Sequence, residues 1–340
     1  MPRALVFALA LALAMLTAAA PAAACGGLIG PNGAVNLLRT TTFVGYHDGI
    51  EHYVTAFQFA GGGGKFGSLT PLPGVPSNVE KGGSWTLQRL IRETQPVKAL
   101  AAAVPAPQRD AAGRVEILLE TKIDALDITV LRGGGAAVGE WATAHGFRLP
   151  ADAPEVLDFY AERSPIFLAA AFDGDAAAAR GQQIGDGTPV HITIPTSNPW
   201  VPLRILALGK QSTDLVQADV YLLTDRKPAI LPLARGANGL TLAYDQTASK
   251  PLLDDLRSDT GMGWIPANGW LSQLRIDTNA STLRYDLAVD VQGHSPSRIA
   301  AGLEAPGAAD PTPIALTMLA AVMAALALVA IREQRRTVLA

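Results

Sequence analysis

The strongest structural signal in the sequence is a hairpin pattern in residues 41–59, which read TTFVGYHDGIEHYVTAFQF. Two apolar runs, residues 41–46 and residues 51–59, flank the dipeptide Asp48-Gly49. Both dipeptide residues tolerate the positive φ angles that a two-residue hairpin turn needs. The pattern therefore predicts an antiparallel hairpin at this point in the chain.

The hairpin also predicts which side chains face each other. With Asp48-Gly49 as the turn, Tyr46 lies opposite Glu51 and Gly45 lies opposite His52. Such a fixed register is expected where one face of a sheet is buried.

Further apolar patterns predict more strands. Residues 283–291 alternate strictly between apolar and polar side chains, and they are predicted to form a hairpin with residues 270–277. Strands dominate the prediction over most of the chain. The other predicted strands are 115–119, 190–194, 201–208, 219–223 and 240–244.

Four short helices are predicted between or beside these strands. Ser84 is a candidate N-cap for the first, residues 136–145 form the second, and Pro154 and Pro251 occupy first-turn positions of the others. The helices do not alternate regularly with strands, which speaks against a doubly wound parallel sheet. The predicted fold class is α+β, a mostly antiparallel sheet with a few short helices and one C-terminal transmembrane helix.

Residues 1–24 have the form of a secretory signal peptide. Arg3 precedes an apolar run from Leu5 to Leu16, and small residues up to Ala24 supply an A-x-A cleavage site. The apolar run is too short for a permanent membrane span. We expect cleavage after Ala24, and an uncleaved anchor is the alternative.

A second apolar segment, residues 314–331, is predicted to be a transmembrane helix. Its 18 residues carry no charge and would extend about 27 Å as a helix, close to the thickness of a hydrocarbon core. A proline-rich linker, residues 306–313, precedes it, and a basic tail, residues 332–340, follows it. Basic residues beside a span stay in the cytoplasm, so residues 25–305 are predicted to lie outside an inner membrane. A buried core helix is the alternative.

Composition limits what residues 25–305 can do. The chain has a net charge of −3 and no basic block with interleaved aromatic residues, so no nucleic-acid partner is predicted. Its size allows one large domain, with a possible subdivision near residues 99–113.

Cys25 is the chain's one cysteine, so no internal disulfide is possible. It directly follows the predicted cleavage site. Lipidation of the new N-terminus is one interpretation, although no Leu or Val stands three residues before it. An inert thiol is another, and intermolecular pairing or metal binding is a third.

Three side chains near the predicted turn are candidate metal ligands: His47, Glu51 and His52. Zinc needs three or four ligands that converge at about 2.0–2.3 Å. The two histidines could share a face of the hairpin diagonally, but no other histidine or cysteine stands at ligand spacing from them. Ordinary turn and strand-edge histidines are the simpler interpretation, and no metal or cofactor is predicted.

The proline-rich stretch 66–76 is a candidate recognition loop. Three prolines within residues 71–76 hold the backbone extended, which would present Leu72 and Val75 to a partner. A rigid surface loop packed on the sheet is the alternative.

Several ordered stretches resemble one bacterial family, the domain of unknown function 2330 family. The resemblance covers most of residues 25–305, and it implies an exported envelope protein, often with a C-terminal membrane anchor. It implies no activity. The stretches are Ala24-Cys25-Gly26-Gly27, residues 46–53, Phe66-Gly67-Ser68, residues 71–76, Glu80-Lys81-Gly82-Gly83 and residues 199–204.

The sequence therefore predicts a membrane-tethered extracytoplasmic module that binds a protein or glycan of the bacterial cell envelope. No signature of a nucleophilic serine or cysteine is present, so an enzyme is not the first expectation. The alternatives are an anchored hydrolase or metal-dependent enzyme around His47, Glu51 and His52, and a lipoprotein-like structural component that uses Cys25.

Overall fold

The structure is a computed structural model of the 340-residue chain. The chain divides into two compact units, residues 1–303 and residues 304–340, and every element below belongs to the first. The described residues are 22–23, 27–30, 33–34, 39–57, 66–94, 116–173 and 188–306.

Several predicted features lie outside these residues: Cys25, the 99–113 boundary, the 314–331 segment and the tail 332–340. Most of the predicted signal peptide lies outside them too, and Ala22–Ala23 are described as a short strand. Among the residues that the structure describes, no helix is long and apolar enough to cross a membrane.

Seventeen strands and four α-helices form in the described part of the chain. The strands are Ala22–Ala23 (β1), Gly27–Gly30 (β2), Gly33–Ala34 (β3), Arg39–His47 (β4), Ile50–Phe57 (β5), Phe66–Leu72 (β6), Asn78–Lys81 (β7), Glu116–Ile123 (β8), Leu126–Arg132 (β9), Ile166–Phe172 (β10), Thr188–Pro195 (β11), Trp200–Val201 (β12), Leu215–Thr224 (β13), Ala229–Leu231 (β14), Leu240–Thr247 (β15), Trp270–Asn279 (β16) and Leu287–Asp290 (β17). The helices are Thr86–Thr94 (α1), Gly135–Ala144 (α2), Ala153–Ala161 (α3) and Lys250–Ser258 (α4).

The strands form three sheets of mostly antiparallel pairs, so the fold is α+β as predicted. The largest sheet has the order β15-β16-β13-β4-β5-β11-β7, with β1 beside β4. Its β4–β13 and β4–β1 pairs are parallel. A six-stranded sheet has the order β3-β2-β6-β10-β9-β8, and a small sheet has the order β12-β17-β14.

The predicted hairpin forms the centre of the largest sheet. β4 and β5 pair antiparallel across Asp48-Gly49, and both turn residues have positive φ angles, 49° and 76°. Tyr46 is opposite Glu51 and Gly45 is opposite His52, which confirms the predicted register. Turn chemistry fixed this pairing locally, because the φ requirement selects the turn and the turn sets the register.

Three apolar cores make the unit a four-layer stack. The central core lies between the two large sheets and includes Val44 and Val220 from one sheet and Leu72 and Leu168 from the other. A second core packs α2 and α3 on the outer face of the six-stranded sheet. A third packs α1 and α4 on the outer face of the eight-stranded sheet. Each of the two large sheets therefore has an apolar core packed on both of its faces.

Two strand predictions were wrong, and one buried carboxylate explains both. The alternation of apolar and polar residues in 283–291 predicts that Asp286 faces solvent, but Asp286 is fully buried. It accepts hydrogen bonds from the N–H groups of Leu203 and Arg204, at 2.7 and 3.0 Å. Residues 201–208 therefore leave the strand conformation after Val201 and form a 3₁₀ turn. Residues 283–291 form only β17, which pairs with β12 and β14 instead of with β16.

The start of α1 is held by a different residue from the one predicted. The carboxylate of Asp259, at the end of α4, accepts the N–H groups of Ser84, Trp85 and Thr86 at 2.9–3.1 Å. It also accepts the Thr86 hydroxyl at 2.9 Å. A carboxylate at a helix start stabilises the otherwise unpaired N–H groups. Asp259 thus replaces the predicted Ser84 cap, and it ties the two helices of this layer together.

Candidate functional site

An open groove of about 760 Å³ lies beside the edge of the eight-stranded sheet. This volume is within the range of about 300–1,000 Å³ that is usual for ligand pockets. Most of its lining is apolar, and Leu233 and Leu242 are 49% and 39% exposed there. The lining residues are Lys227, Pro228, Ala229, Ile230, Leu231, Leu233, Ala234, Arg235, Leu242, Asp245, Ser272, Leu274, His294, Ser295, Pro296 and Arg298.

A β-bulge in β15 brings Leu242 and Asp245 to the same side of the sheet. The pairing with β16 runs Leu242 opposite Leu274, skips Ala243, and continues with Tyr244 opposite Gln273 and Asp245 opposite Ser272. In a regular strand, residues three apart point to opposite faces, and an extra unpaired residue reverses that relation. The bulge therefore places a carboxylate next to the apolar lining. It also turns Tyr244 to the opposite face, against the regular alternation predicted for residues 240–244.

Asp245 is held ionised at one side of the groove. Burial opposes its ionisation, but hydrogen bonds from Lys227, Trp270 and Ser272 outweigh this and keep the pKa of Asp245 below its usual range. The Trp270 indole N–H donates at 2.6 Å and the Ser272 hydroxyl at 2.8 Å. The Lys227 ammonium pairs with the same carboxylate.

The groove lining carries more positive than negative charge. Lys227, Arg235 and Arg298 are cationic, and Asp245 is the single carboxylate among the lining residues. Lys227 already pairs with Asp245. The exposed guanidinium of Arg235 therefore favours a partner with negative charge.

The three predicted metal ligands do not come together. His47 and His52 lie on the same face of the hairpin, and Glu51 lies on the opposite face, since neighbouring residues of a strand alternate. His47 contacts the carboxylates of Asp225 and Asp48, at 2.5 and 3.1 Å. Within the described ranges, no group of three or more potential ligands is placed to hold a metal ion.

Glu51 is a fully buried acid in the central layer. One carboxyl oxygen accepts the N–H of Trp200 at 3.1 Å, and the other has no hydrogen-bond partner. Burial raises the pKa of Glu51 to about 8, against the opposing effect of the Trp200 N–H. The side chain is therefore mostly a neutral acid at pH 7, which is unsuited to metal binding.

His52 instead belongs to a hydrogen-bonded chain with two residues from other strands. Its Nδ1 lies 2.9 Å from Nε2 of His191, whose Nδ1 lies 3.1 Å from the Glu80 carboxylate. Because a carboxylate only accepts, His191 carries its proton on Nδ1, and His52 donates from its own Nδ1. The Nε2 atom of His52 is left as an acceptor. The indole of Trp264 stacks on the His52 ring, with centroids 4.0 Å apart.

Burial keeps His52 neutral at pH 7. Burial, and then the neighbouring His191 and His47, lower the pKa of His52 to about 4. A general base acts most efficiently when its pKa is near the working pH. His52 is therefore better suited to a fixed, uncharged contact than to proton transfer at neutral pH.

The two residues predicted for partner recognition have different environments. Leu72 is fully buried, so it cannot present its side chain to a partner. The reason is that residues 66–72 are strand β6, not a loop: Leu72 pairs with Ile166 and faces the central core. Proline is tolerated at position 71 of this strand because, among the described residues, β2 pairs only with residues 67–69 and does not reach it. Val75 follows the strand and is 45% exposed.

The sequence prediction missed the groove and the partners of His52. Glu80 and His191 are 111 residues apart, and local spacing carries no signal for such a pair. One local signal for the groove does exist. Pro228-Ala229-Ile230-Leu231-Pro232-Leu233 is a short apolar run closed by prolines, which is typical of an edge strand.

Comparisons with known proteins give a family and a distant structural similarity. A comparison with curated proteins finds no match. The crystal structure of baculovirus P35 aligns at 9% identity and a TM-score of 0.41, over 74% of this chain and 96% of that chain. A mutated baculovirus P35 after caspase cleavage aligns at 9% identity and a TM-score of 0.38, over 74% and 99% of the two chains. These similarities carry no inference about function.

The family model described as "Uncharacterized protein conserved in bacteria (DUF2330)" matches residues 19–289. This range spans most of the chain and nearly all of the described elements. The chain therefore belongs to the DUF2330 family of uncharacterized proteins conserved in bacteria.

Proposed function

We propose that this protein is a membrane-tethered extracytoplasmic binding module of the bacterial cell envelope. The observation that supports binding is the open groove, whose lining leaves Leu233 and Leu242 partly exposed to water. Exposed apolar side chains that gather in one concave site are typical of recognition surfaces. The tether rests on the sequence: the signal-like residues 1–24, and the uncharged residues 314–331 followed by arginines.

The location is tested in intact cells that carry a C-terminal tag on the full chain. We expect the protein in the inner membrane fraction, with residues 25–305 open to added protease after the outer barrier is permeabilised. The tag should become accessible only after the inner membrane is disrupted. A soluble protein, or a tag open to protease before that disruption, would contradict the proposal.

Binding is tested by placing a photo-cross-linking amino acid at Leu233 in living cells. Leu215 is the matched control, since it is an exposed leucine, 53% accessible, at the start of β13 and not part of the groove lining. We expect a defined cross-linked product from position 233 and none of that size from position 215. Equal products from both positions would contradict a binding role for the groove.

The alternative function is an anchored hydrolase or metal-dependent enzyme, and one observation favours it. The Glu80–His191–His52 chain leaves Nε2 of His52 as an acceptor. Against it stand the pKa of about 4 for His52 and the contacts of its ring with His191 and Trp264. Loss of a measured hydrolytic activity in His52→Gln, with the fold retained, would favour the enzyme.

A further inference from the structure

We propose that the groove binds an extended, acidic peptide segment of another protein, which pairs with β14 as an added strand. This inference rests on the proposed binding function and names the class of ligand. Its evidence is the backbone edge that borders the groove, the apolar lining and the charge of the lining.

Among the strands that the structure describes, β14 has a partner on one side only, and its other edge borders the groove. β14 is the last strand of the β12-β17-β14 sheet. All three of its residues, Ala229, Ile230 and Leu231, line the groove. Side chains of a strand alternate between two faces, so three consecutive residues can border one space only when the strand's edge is turned towards it. An edge strand offers N–H and C=O groups to an incoming strand.

The apolar side chains lie where alternate side chains of such a peptide would fall. Leu233 follows β14, and Leu242 lies across the groove on β15. Both leucines are partly exposed. Edge strands are often shortened by prolines as protection against pairing, and Pro228 and Pro232 do so here. Protection alone does not require exposed leucines beside the edge, whereas peptide binding does.

Charge selects an acidic peptide. Within the lining, Lys227 and Asp245 pair with each other, so Arg235 is the cationic side chain that would attract an acidic ligand. Arg235 is exposed and follows Leu233 by two positions in the groove lining, so an aspartate or glutamate in the peptide would pair with it beside an apolar contact.

Peptide fits the groove better than glycan or lipid. No Trp, Tyr or Phe is among the described lining residues, so a sugar would lack the aromatic platform on which sugars usually stack. An acyl chain would use the leucines and leave the backbone edge unpaired.

The test uses the full-length chain held in phosphatidylcholine nanodiscs and a phage library of random heptapeptides. We expect selected peptides with apolar residues at alternate positions, with Asp or Glu, and without central proline. Synthetic copies should bind at least about tenfold more weakly to Leu233→Asp and to Arg235→Glu. They should bind Leu215→Asp as they bind the parent. The thermal midpoint of each variant checks its fold.

The decisive comparison is a selected peptide with an N-methyl group on its central amide, which removes one backbone donor. At least about tenfold weaker binding is expected. Unchanged binding after N-methylation would overturn the proposal. So would a library from which every selected peptide binds the parent and Leu233→Asp equally well. Dansyl-undecanoic acid tests the acyl-chain alternative and chitotetraose tests the glycan alternative. If either bound to the parent and not to Leu233→Asp, the peptide proposal would fail, but the proposed binding function of the groove would remain.

Discussion

Glu51 shows how one buried residue links stability to pH. Its ordinary pKa is 4.5, and burial raises the folded-state pKa to about 8. Between these two values the folded protein retains a proton that the unfolded chain has released. The contribution of Glu51 to the free energy of unfolding is therefore fully present below pH 4.5. It declines as the pH rises and is lost above about pH 8.

We predict that Glu51→Gln removes this decline. Glutamine is close in shape and never ionises, so the variant should exceed the parent in free energy of unfolding by about 2–4 kcal/mol at pH 8. The two proteins should be nearly equal at pH 5. Urea unfolding at both pH values measures the difference. Glu140→Gln, on the exposed side of α2, is the control, and a parallel pH dependence of the parent and Glu51→Gln would contradict the prediction.

Gly45 makes room for the ring that covers His52. A Cβ atom built on Gly45 would lie 2.3 Å from Cζ3 of Trp264, far inside van der Waals contact. The indole could stay on the His52 ring only if the backbone moved. A close approach of this kind accounts for glycine at this position of a central strand.

We predict that Gly45→Ala displaces Trp264 and destabilises the protein by about 1–3 kcal/mol, the usual cost of overpacking. Thermal unfolding measures the loss, and near-ultraviolet circular dichroism reports the indole. Gly139→Ala is the control, because its added methyl group makes only an ordinary van der Waals contact, 3.8 Å from Cδ1 of Leu149. The same unfolding midpoint and indole signal for Gly45→Ala and the parent would show that the stack is not constrained.

At the scale of elements, the bulge in β15 determines the composition of the groove. Periodicity predicts that residues 240–244 form a strand, and that is confirmed. It could not place the extra residue, because a bulge depends on the partner strand β16. Without the bulge, Asp245 and Leu242 would point to opposite faces, and the groove would lose its carboxylate.

The link between α1 and α4 depends on Asp259. This buried carboxylate receives three backbone N–H groups and one hydroxyl from the start of α1. We predict that Asp259→Ala destabilises the fold by about 2–4 kcal/mol, because the N–H groups at the start of α1 and the buried Thr86 hydroxyl lose a charged acceptor. Urea unfolding followed by far-ultraviolet circular dichroism measures the change.

Asp255 on the same helix provides the control. Its carboxylate pairs with Arg89 of α1, but it is 51% exposed, so Asp255→Ala should cost less than about 1 kcal/mol. Equal losses from the two variants would mean that the cap adds nothing beyond a surface ion pair.

At the scale of the whole unit, Asp286 joins parts of the chain that are far apart in sequence. It pairs with Arg163 at 2.5 Å, and it accepts the Tyr160 hydroxyl at 2.9 Å. It also binds the N–H groups of Leu203 and Arg204. The carboxylate thereby fastens α3, the 3₁₀ turn and the segment before β17.

We predict that Asp286→Asn destabilises the unit by about 3–5 kcal/mol, because the buried guanidinium of Arg163 loses its counter-charge. The free energy of unfolding from urea titration measures this. Glu155→Gln is the control: it removes the exposed carboxylate that pairs with Arg204 and should change stability by less than about 1 kcal/mol. A similarly small effect of Asp286→Asn would show that the network is not needed for the fold.

The sequence by itself determined the features that depend on neighbouring residues. These are the hairpin with its register, the existence of most strands, the starts of the four helices within one or two residues, and membership of the family. Turn residues, apolar periodicity and first-turn prolines act over a few positions, so their signal is local.

Only the tertiary structure decided which strands pair beyond the β4–β5 hairpin, where Asp286 is buried, and how Glu80 and His191 reach His52. It also decided the groove, which needs β14, a bulge in β15 and the segment after β17 to lie side by side. These features depend on contacts between residues tens to more than a hundred positions apart. The free energy of such contacts comes from burial and hydrogen bonding in the folded unit, and it overrides the local pattern where the two conflict.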